Sequence, residues 1–127
     1  MRCFERVKRH LPPDGVFVVE AFVPDLARFD RGQRVGARRV ALDELNLEIM
    51  QHDASTQTVT STQLVITERR TRLYPVKLRY AFPPEFDLMA RLAGMRLRER
   101  FGGWHHEPYS AASVLHVSIY ELNPASS

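Results

Sequence analysis

Length, composition and charge limit what this chain can be. Its 127 residues are 44% hydrophobic and 26% charged, with a formal net charge of +3, which is typical of a soluble globular chain that forms one domain or part of one. No apolar run approaches the ~20 residues of a membrane span, and the scattered arginines do not form the basic stripe of a nucleic-acid surface. We therefore expect neither a membrane nor a nucleic acid as partner.

The N-terminal segment and the cysteine content predict a cytoplasmic protein. Met1 to Arg6 begins directly in a helical pattern and mixes an acid with bases, unlike a signal peptide. The single cysteine, Cys3, excludes an internal disulfide framework and fits a reducing compartment. We expect its side chain to be a small buried apolar group.

The first elements are a helix, a reversal and an apolar strand. Helical spacing of apolar residues predicts a helix over 2–11, and Leu11-Pro12-Pro13-Asp14-Gly15 is a turn. Residues 16–23 form a nearly unbroken apolar run, which is typical of a strand buried on both faces; the alternative is a strand in an ordinary two-layer domain. Residues 24–33 form a loop with room for one helical turn.

Apolar and polar residues alternate through 36–82, which predicts an antiparallel meander of three or four strands. Leu45, Leu47 and Ile49 share one face, and we expect this face to be buried. Pro75 cannot donate to a ladder, so its strand lies at an edge or carries a bulge. One face of that strand holds five apolar residues: Tyr74, Val76, Leu78, Tyr80 and Phe82.

The C-terminal part predicts a helix and two strands. Pro83-Pro84 suits the first turn of a helix and Gly94 its end, with strands at 95–101 and 114–122 and a tail at 123–127. Arg96, Arg98 and Arg100 share one strand face, which we interpret as solvated. The predicted fold class is α+β, a mostly antiparallel sheet with two helices, in a single partial domain divided into 1–23, 36–82 and 83–122.

Several of these stretches resemble the late part of small bacterial class I S-adenosylmethionine-dependent methyltransferases. The turn over 11–15 before an apolar strand resembles the lead into the family's fifth strand, although Asp14 stands where glycine is usual and one proline is extra. The resemblance continues at Tyr74 to Tyr80, Pro84 to Leu97 and Gly102-Gly103-Trp104. It covers essentially all of this chain but only the C-terminal half of a Rossmann-like methyltransferase with a β insertion.

The resemblance implies S-adenosylmethionine as the family's cofactor, yet the cofactor motif is missing from this sequence. Family members hold the cofactor with a glycine-rich loop after a buried strand, where glycine lets the backbone approach the ligand. Gly32-Gln33-Arg34-Val35-Gly36 has neither the strand before it nor the helix after it. No residue is assigned to cofactor binding, and we expect a shortened chain that is inactive and binds no cofactor alone.

Candidate site residues follow from position in such a sheet. Ligands bind beyond the carboxyl ends of the strands, which selects Glu20, Phe22 and Asp25, and the resemblance adds an aromatic wall from Tyr74, Tyr80 and Trp104. Core packing is the alternative for each. No catalytic residue is identified, and no metal site is expected at His105-His106-Glu107, because adjacent side chains point apart. We expect His10, His52 and His116 at the surface or in turns.

Two functions remain open from the sequence. One is the C-terminal portion of a methyltransferase acting on a small-molecule acceptor, and the other is a non-catalytic β-rich binding or oligomerisation module. A homo-oligomer is expected in either case, because two short helices cannot cover both faces of an apolar strand over 16–23. The sequence does not identify the acceptor.

Overall fold

The structure is a computed structural model, and it describes residues 1–124. These residues form two compact units. We call residues 1–24 with 81–124 the mixed unit, because it contains both helices, and Asp25–Tyr80 the sheet unit. The division into segments that the sequence suggested stays a prediction.

The elements follow one another as the alternation and helix signals indicated. In chain order they are α1 (Arg2–His10), β1 (Val16–Phe22), a 3-10 turn (Leu26–Arg28), β2 (Gln33–Val40), β3 (Glu44–Asp53), β4 (Thr58–Thr67), β5 (Thr71–Arg79), α2 (Pro83–Leu92), β6 (Met95–Phe101) and β7 (Leu115–Leu122). Mostly antiparallel sheets with two helices confirm the predicted composition of the fold. Neither helix in the described residues is long and apolar enough to cross a membrane.

Local chemistry sets the ends of both helices. α1 stops at His10, and a turn follows in which the Gly15 N–H donates to the Pro12 carbonyl at 2.9 Å. Two prolines occupy the first turn of α2, where their missing N–H groups would have no helical partner. The chain leaves α2 through Gly94 at φ 85°, a conformation that strongly favours glycine.

The mixed unit holds a three-stranded sheet in the order β1-β7-β6. β7 lies between β1 and β6 and is antiparallel to both. Because β1 and β6 both oppose β7, they run in the same direction. Their carboxyl ends therefore lie at the same end of this sheet.

The core of the mixed unit lies on one face of that sheet. Phe4 of α1 contacts Phe17 and Tyr120 edge to face, with ring centroids 5.4 and 5.7 Å apart. Ala90 of α2 and Met95 of β6 are fully buried in the same cluster. Both helices therefore cover the face that carries Phe17 and Tyr120.

Burial of β1 on both faces was predicted wrongly. Exposure alternates along the strand, and Val18 and Phe22 remain 41% and 47% exposed. The cause is that the core cluster with its two helices occupies only one side of an edge strand. Cys3 is also exposed rather than buried, because Phe4, the next residue around the helix, takes the inward direction.

The sheet unit is a four-stranded antiparallel meander in the order β2-β3-β4-β5. Pro75 lies on β5 at the edge, as its missing donor required. Met50, Val59 and Tyr80 are its buried apolar residues. Tyr74, Val76 and Leu78 share one apolar face, as predicted, but β5 is exposed along its whole length.

The opposite face of this sheet is uncharged and uncovered. The prediction that Leu45, Leu47 and Ile49 face a core was wrong within this chain, because Leu45 and Ile49 are 37% and 36% exposed, whereas Met50 and Val59 are buried. Cross-strand pairing places these leucines and this isoleucine in three rows of four residues. We call the twelve positions the uncharged face: Val35, Ala37 and Val40 on β2; Leu45, Leu47 and Ile49 on β3; Thr62, Leu64 and Ile66 on β4; Thr71, Leu73 and Pro75 on β5.

Candidate functional site

Two of the predicted site residues meet where β1 and β6 end. Glu20 is the last acidic residue of β1, and Trp104 lies in the loop that follows β6. The Trp104 indole Nε1–H donates a hydrogen bond to Glu20 Oε2. A strand end and a loop separated by 84 positions in the chain are thereby joined at the edge of the sheet where ligands bind in open α/β folds.

A small aromatic cavity lies beside this pair. Its volume is about 130 Å³, and its walls are Val18, Phe101, Gly103, Trp104, His106, Val117 and Ile119. Val18 and Ile119 pair directly across the strands and alternate with the core residues Phe17 and Tyr120. The cavity therefore opens on the sheet face that α1 and α2 leave uncovered.

The loop after β6 is held by its own hydrogen bonds. The Gly102 N–H donates to the Glu107 carbonyl at 2.7 Å, and the His105 N–H donates to Glu107 Oε2 at 2.9 Å. Backbone N–H groups of Glu107 and His105 lower the pKa of the Glu107 carboxyl. The His106 ring stacks on Phe101 with ring centroids 4.7 Å apart. Glu107 therefore stabilises the loop, and His106 forms part of the cavity wall.

Charge and shape together suit a cationic or amine-bearing ligand. Within the described part of the chain, Glu20 forms no ion pair with a lysine, arginine or histidine. Aromatic faces attract cations through their quadrupoles, and a carboxylate accepts hydrogen bonds only. The arrangement can therefore hold an N–H group at Glu20 and an apolar ring against Trp104 and Phe101.

The other predicted site residues have different surroundings. Phe22 is exposed on the same face of β1 as Glu20. Asp25, Tyr74 and Tyr80 belong to the sheet unit, and their part in a site with Glu20 stays a prediction. Tyr80 is buried and its hydroxyl lies 2.8 Å from His52 Nε2.

Two histidines that we expected at the surface or in turns take part in packing. His52 is half-buried and stacks on Phe29 with ring centroids 5.0 Å apart. His116 is fully buried, with its ring edge to face against Phe86 of α2. Both lie in strands whose polar residues alternate inward, a position that residue type alone does not reveal.

Sequence reasoning also missed a buried polar network in the mixed unit. Arg100 donates to both carboxylate oxygens of Asp87, at 3.2 and 2.5 Å, and its Nε–H donates to Ser118 Oγ at 2.8 Å. The Tyr120 hydroxyl donates to Asp87 at 2.8 Å. Arg100 faces inward, unlike the solvated position expected for it, because a register shift between Leu97 and Glu99 breaks the strand alternation.

The network sets the ionisation of its members. Burial lowers the pKa of Arg100, but the hydrogen bond and charge of Asp87 outweigh burial and leave that pKa above its usual value. Burial, and then the hydrogen bond to Asp87, raise the pKa of Tyr120. Burial and the charge of Arg100 lower the pKa of His116, against the smaller opposing effect of Asp87.

The same network contacts His116. Arg100 can only donate, so Ser118 Oγ accepts from it, and the same Oγ lies 2.7 Å from His116 Nδ1. His116 Nε2 has no hydrogen-bond partner among the described residues. A buried neutral histidine is the form that this surrounding favours.

The residues present do not fit a nucleotide-type cofactor loop. Gly32 occupies a turn at φ 79°, and Gly36 lies inside β2 of the meander. Neither glycine joins a buried strand to a helix, which is the geometry that exposes backbone N–H groups to such a ligand. Residues 1–124 thus form a small aromatic cavity and contain no glycine loop of this geometry.

Comparison with known proteins finds matches among solved structures. No protein-family model matches the chain, and no curated protein matches it. Among solved structures, the CcbJ methyltransferase from Streptomyces caelestis matches 95% of this chain and 49% of its own, at 35% identity and a TM-score of 0.84. The chain therefore spans about half the length of that protein.

Two further solved structures share the fold. An S-adenosylmethionine-dependent methyltransferase from Clostridium acetobutylicum matches 94% of this chain and 49% of its own, at 9% identity and a TM-score of 0.74. CalS10, an amino pentose methyltransferase from Micromonospora echinaspora whose structure contains the bound cofactor, matches 91% of this chain and 48% of its own, at 21% identity and a TM-score of 0.54. The resemblance to S-adenosylmethionine-dependent methyltransferases that the sequence motifs indicated is therefore confirmed over about half the length of each.

Proposed function

We propose that this chain supplies the acceptor side of a methyl transfer from S-adenosylmethionine to the amine of a small molecule. The observation that carries the proposal is the contact of Glu20 with Trp104 beside the aromatic cavity. The cofactor would be held by residues outside these 127, because the glycine-containing stretch here forms a turn and a strand. On its own the chain is inactive.

Glu20 and Trp104 have complementary tasks in this proposal. Glu20 accepts a hydrogen bond from the acceptor's N–H group and can receive its proton, while Trp104 and Phe101 hold the ring that carries the amine. Fixing the orientation of an acceptor nitrogen is a large part of what such a site contributes to rate. The amine assignment is supported by the Glu20 carboxylate, which accepts a hydrogen bond from Trp104 and forms no ion pair within the described residues, and it agrees with the amino sugar that CalS10 is named for.

A titration of the purified chain with S-adenosylmethionine tests the cofactor part of the proposal. We expect calorimetry to detect no binding in the micromolar range, because the described residues contain no glycine loop between a buried strand and a helix. Micromolar affinity would show that these residues contain a cofactor site of another design. The proposed need for a second segment would then be wrong.

The acceptor part is tested through Trp104, which is the only tryptophan in the chain. Its fluorescence can be followed during titration with piperidine, a protonated cyclic amine, and with tetrahydropyran, its neutral oxygen analogue. We expect piperidine to give a saturable change with a dissociation constant on the order of millimolar, a plausible value for a fragment of this size. Tetrahydropyran should bind more weakly, because it offers Glu20 no donor.

Matched variants locate the response. Glu20→Gln removes the charge and should weaken piperidine binding on the order of tenfold, whereas Glu99→Gln, an exposed carboxylate on β6, should leave it unchanged. Equal responses to the amine and the ether, or equal behaviour of the two variants, would contradict an amine site at Glu20.

One observation favours a second candidate function, a non-catalytic oligomerisation module. The uncharged face of the sheet unit is exposed and has no role in the Glu20 cavity. Under this alternative neither piperidine nor tetrahydropyran would perturb Trp104, although the chain would still associate. The same titration therefore separates the two functions.

A further inference from the structure

The loop that joins β6 to β7, residues 102–114, has a contact on each face of the three-stranded sheet. Near its start, Trp104 and His106 line the aromatic cavity on the face that the helices leave uncovered. Further along, the guanidinium of Arg100 lies over the ring of Tyr109, with Cζ 5.6 Å from the ring centroid. Because Arg100 faces inward beneath α2, the loop also contacts the helix-covered side.

Arg100 is the fixed member of the contact with Tyr109. Its guanidinium donates to both carboxylate oxygens of Asp87 on α2, and its Nε–H donates to Ser118 Oγ on β7. The side chain is 12% exposed and is thereby bound to a helix and to a neighbouring strand. Its flat face offers a held cation on which an aromatic ring can pack.

The loop between Tyr109 and Trp104 is closed on itself. The Gly102 N–H donates to the Glu107 carbonyl at 2.7 Å. A Cβ on Gly102 would lie 2.8 Å from the carbonyl oxygen of Pro108, so the outgoing and returning parts of the loop are in close contact. A displacement of Tyr109 is therefore passed on to Trp104.

We propose that Arg100 and Tyr109 are a positioning pair, which holds the loop so that Trp104 stays against the cavity. This inference rests on the proposed function for what the cavity binds, but the loop contact itself needs no ligand. Ordering a binding group before the ligand arrives lowers the cost of binding. The buried network of Asp87 and Arg100 thus has a task at the cavity on the opposite face of the sheet.

Trp104 is the only tryptophan of the chain, so its fluorescence anisotropy decay reports the order of the loop without any ligand. Tyr109→Leu removes the aromatic face, whereas Tyr109→Phe keeps it. We expect the amplitude of nanosecond motion at Trp104 to rise on the order of twofold in the leucine variant and to stay at the wild-type value in the phenylalanine variant. Val114→Ala, a change in a 78% exposed side chain of the same loop, is the control and should also behave as the wild type.

Arg100→Lys tests the other member of the pair. Lysine keeps the charge but loses the flat face, so the nanosecond motion of Trp104 should rise as it does in Tyr109→Leu. If the two residues act through each other, the double variant should show no further rise, because residues that share one interaction are not additive. Additive increases would show that they act separately, and would overturn the pairing.

The piperidine titration adds a readout of binding. Tyr109→Leu should weaken piperidine binding on the order of threefold to tenfold, since the ligand then has to order the loop, whereas Tyr109→Phe and Val114→Ala should leave the affinity unchanged. Tyr109 is 37% exposed, so the variants should fold, and circular dichroism with a melting curve checks this for each.

Unchanged motion of Trp104 in Tyr109→Leu, or an equal rise in Tyr109→Phe, overturns the proposal. Increased motion with an unchanged affinity for piperidine overturns it as well. A wild-type protein that does not bind piperidine contradicts the proposed function instead, and the anisotropy measured without ligand then decides the role of Arg100 and Tyr109.

Discussion

The two units solve the burial of apolar residues in different ways. The mixed unit has two helices over one sheet face and a core in which Ala90, Met95 and Tyr120 are fully buried. The sheet unit has four strands, no α-helix, and apolar rows that remain in solvent. We infer that the mixed unit derives its stability from its own packing, whereas the sheet unit contributes a surface.

Truncating one apolar side chain in each unit tests this difference most strongly. Met95→Ala should lower the free energy of unfolding by about 2–5 kcal/mol, because it removes buried atoms and leaves a cavity. Leu73→Ala should lower it by less than about 1 kcal/mol, because the side chain is 62% exposed. Urea unfolding at low protein concentration, where association does not contribute, measures both.

Equal decreases in the free energy of unfolding for Met95→Ala and Leu73→Ala would contradict this comparison, in which the mixed unit has a packed core and the sheet unit has an exposed apolar face. Leu47→Asp should likewise cost less than the roughly 2–5 kcal/mol that is typical of a core site, because this face of the sheet is not buried in one copy.

Alternation and turn chemistry were enough to predict the strands of both units, but not which face each strand buries. Val16 to Val23 is apolar throughout, and only the placement of α1 and α2 on one side decided that Val18 is exposed and Val19 packed. In β3 the pattern marked Leu45 as inward, although a single copy leaves it exposed. Periodicity indicates that a face is meant for burial, and it does not say which part of the molecule covers it.

The next largest expected effect concerns two arginines of β6 with different surroundings. Arg100 pairs with Asp87 beneath α2, with side-chain exposures of 12% and 25%, whereas Arg96 pairs with Glu121 at the surface. Arg100→Leu should cost about 3 kcal/mol, because it leaves the Asp87 carboxylate poorly solvated without its partner. Arg96→Leu should cost about 0–1 kcal/mol, the range for exposed pairs.

Denaturant unfolding of the two arginine variants side by side measures this difference. A small effect at Arg100 would mean that water readily reaches Asp87, and that the polar network is not part of the packed unit. The double variant Arg100→Leu with Asp87→Leu should recover part of the loss, since it also removes the stranded charge.

Of the candidate site, Glu20 was selected by its position near a strand end and Trp104 by the methyltransferase resemblance, and their part in a site stays a prediction. The sequence could not predict the inward turn of Arg100, because that depends on a register shift that no local residue pattern marks. It also could not predict the burial of His116, because a histidine in an alternating strand fits either side equally well. Both follow from how β6 and β7 pair beneath α2, which is a tertiary property.

The smallest expected effect is a pH dependence that distinguishes the mixed unit through His116. Its pKa in the folded protein lies below the usual value, because of burial and then the charge of Arg100, with Asp87 opposing. Between the folded and unfolded pKa values the unfolded chain binds more protons at this residue, so stability increases with pH there. The contribution is complete above about pH 6.5, the unfolded pKa, and is lost as the pH falls through this window.

His116→Asn keeps an acceptor near Ser118 but does not titrate, so the wild type should lose up to about 1.4 kcal/mol per pH unit relative to the variant below pH 6.5. Carboxylates elsewhere titrate alike in both proteins and cancel in the difference. Parallel stability curves from pH 7 to pH 5 would show that His116 titrates as it does in the unfolded chain, and that the Asp87–Arg100–Ser118 network does not hold it neutral.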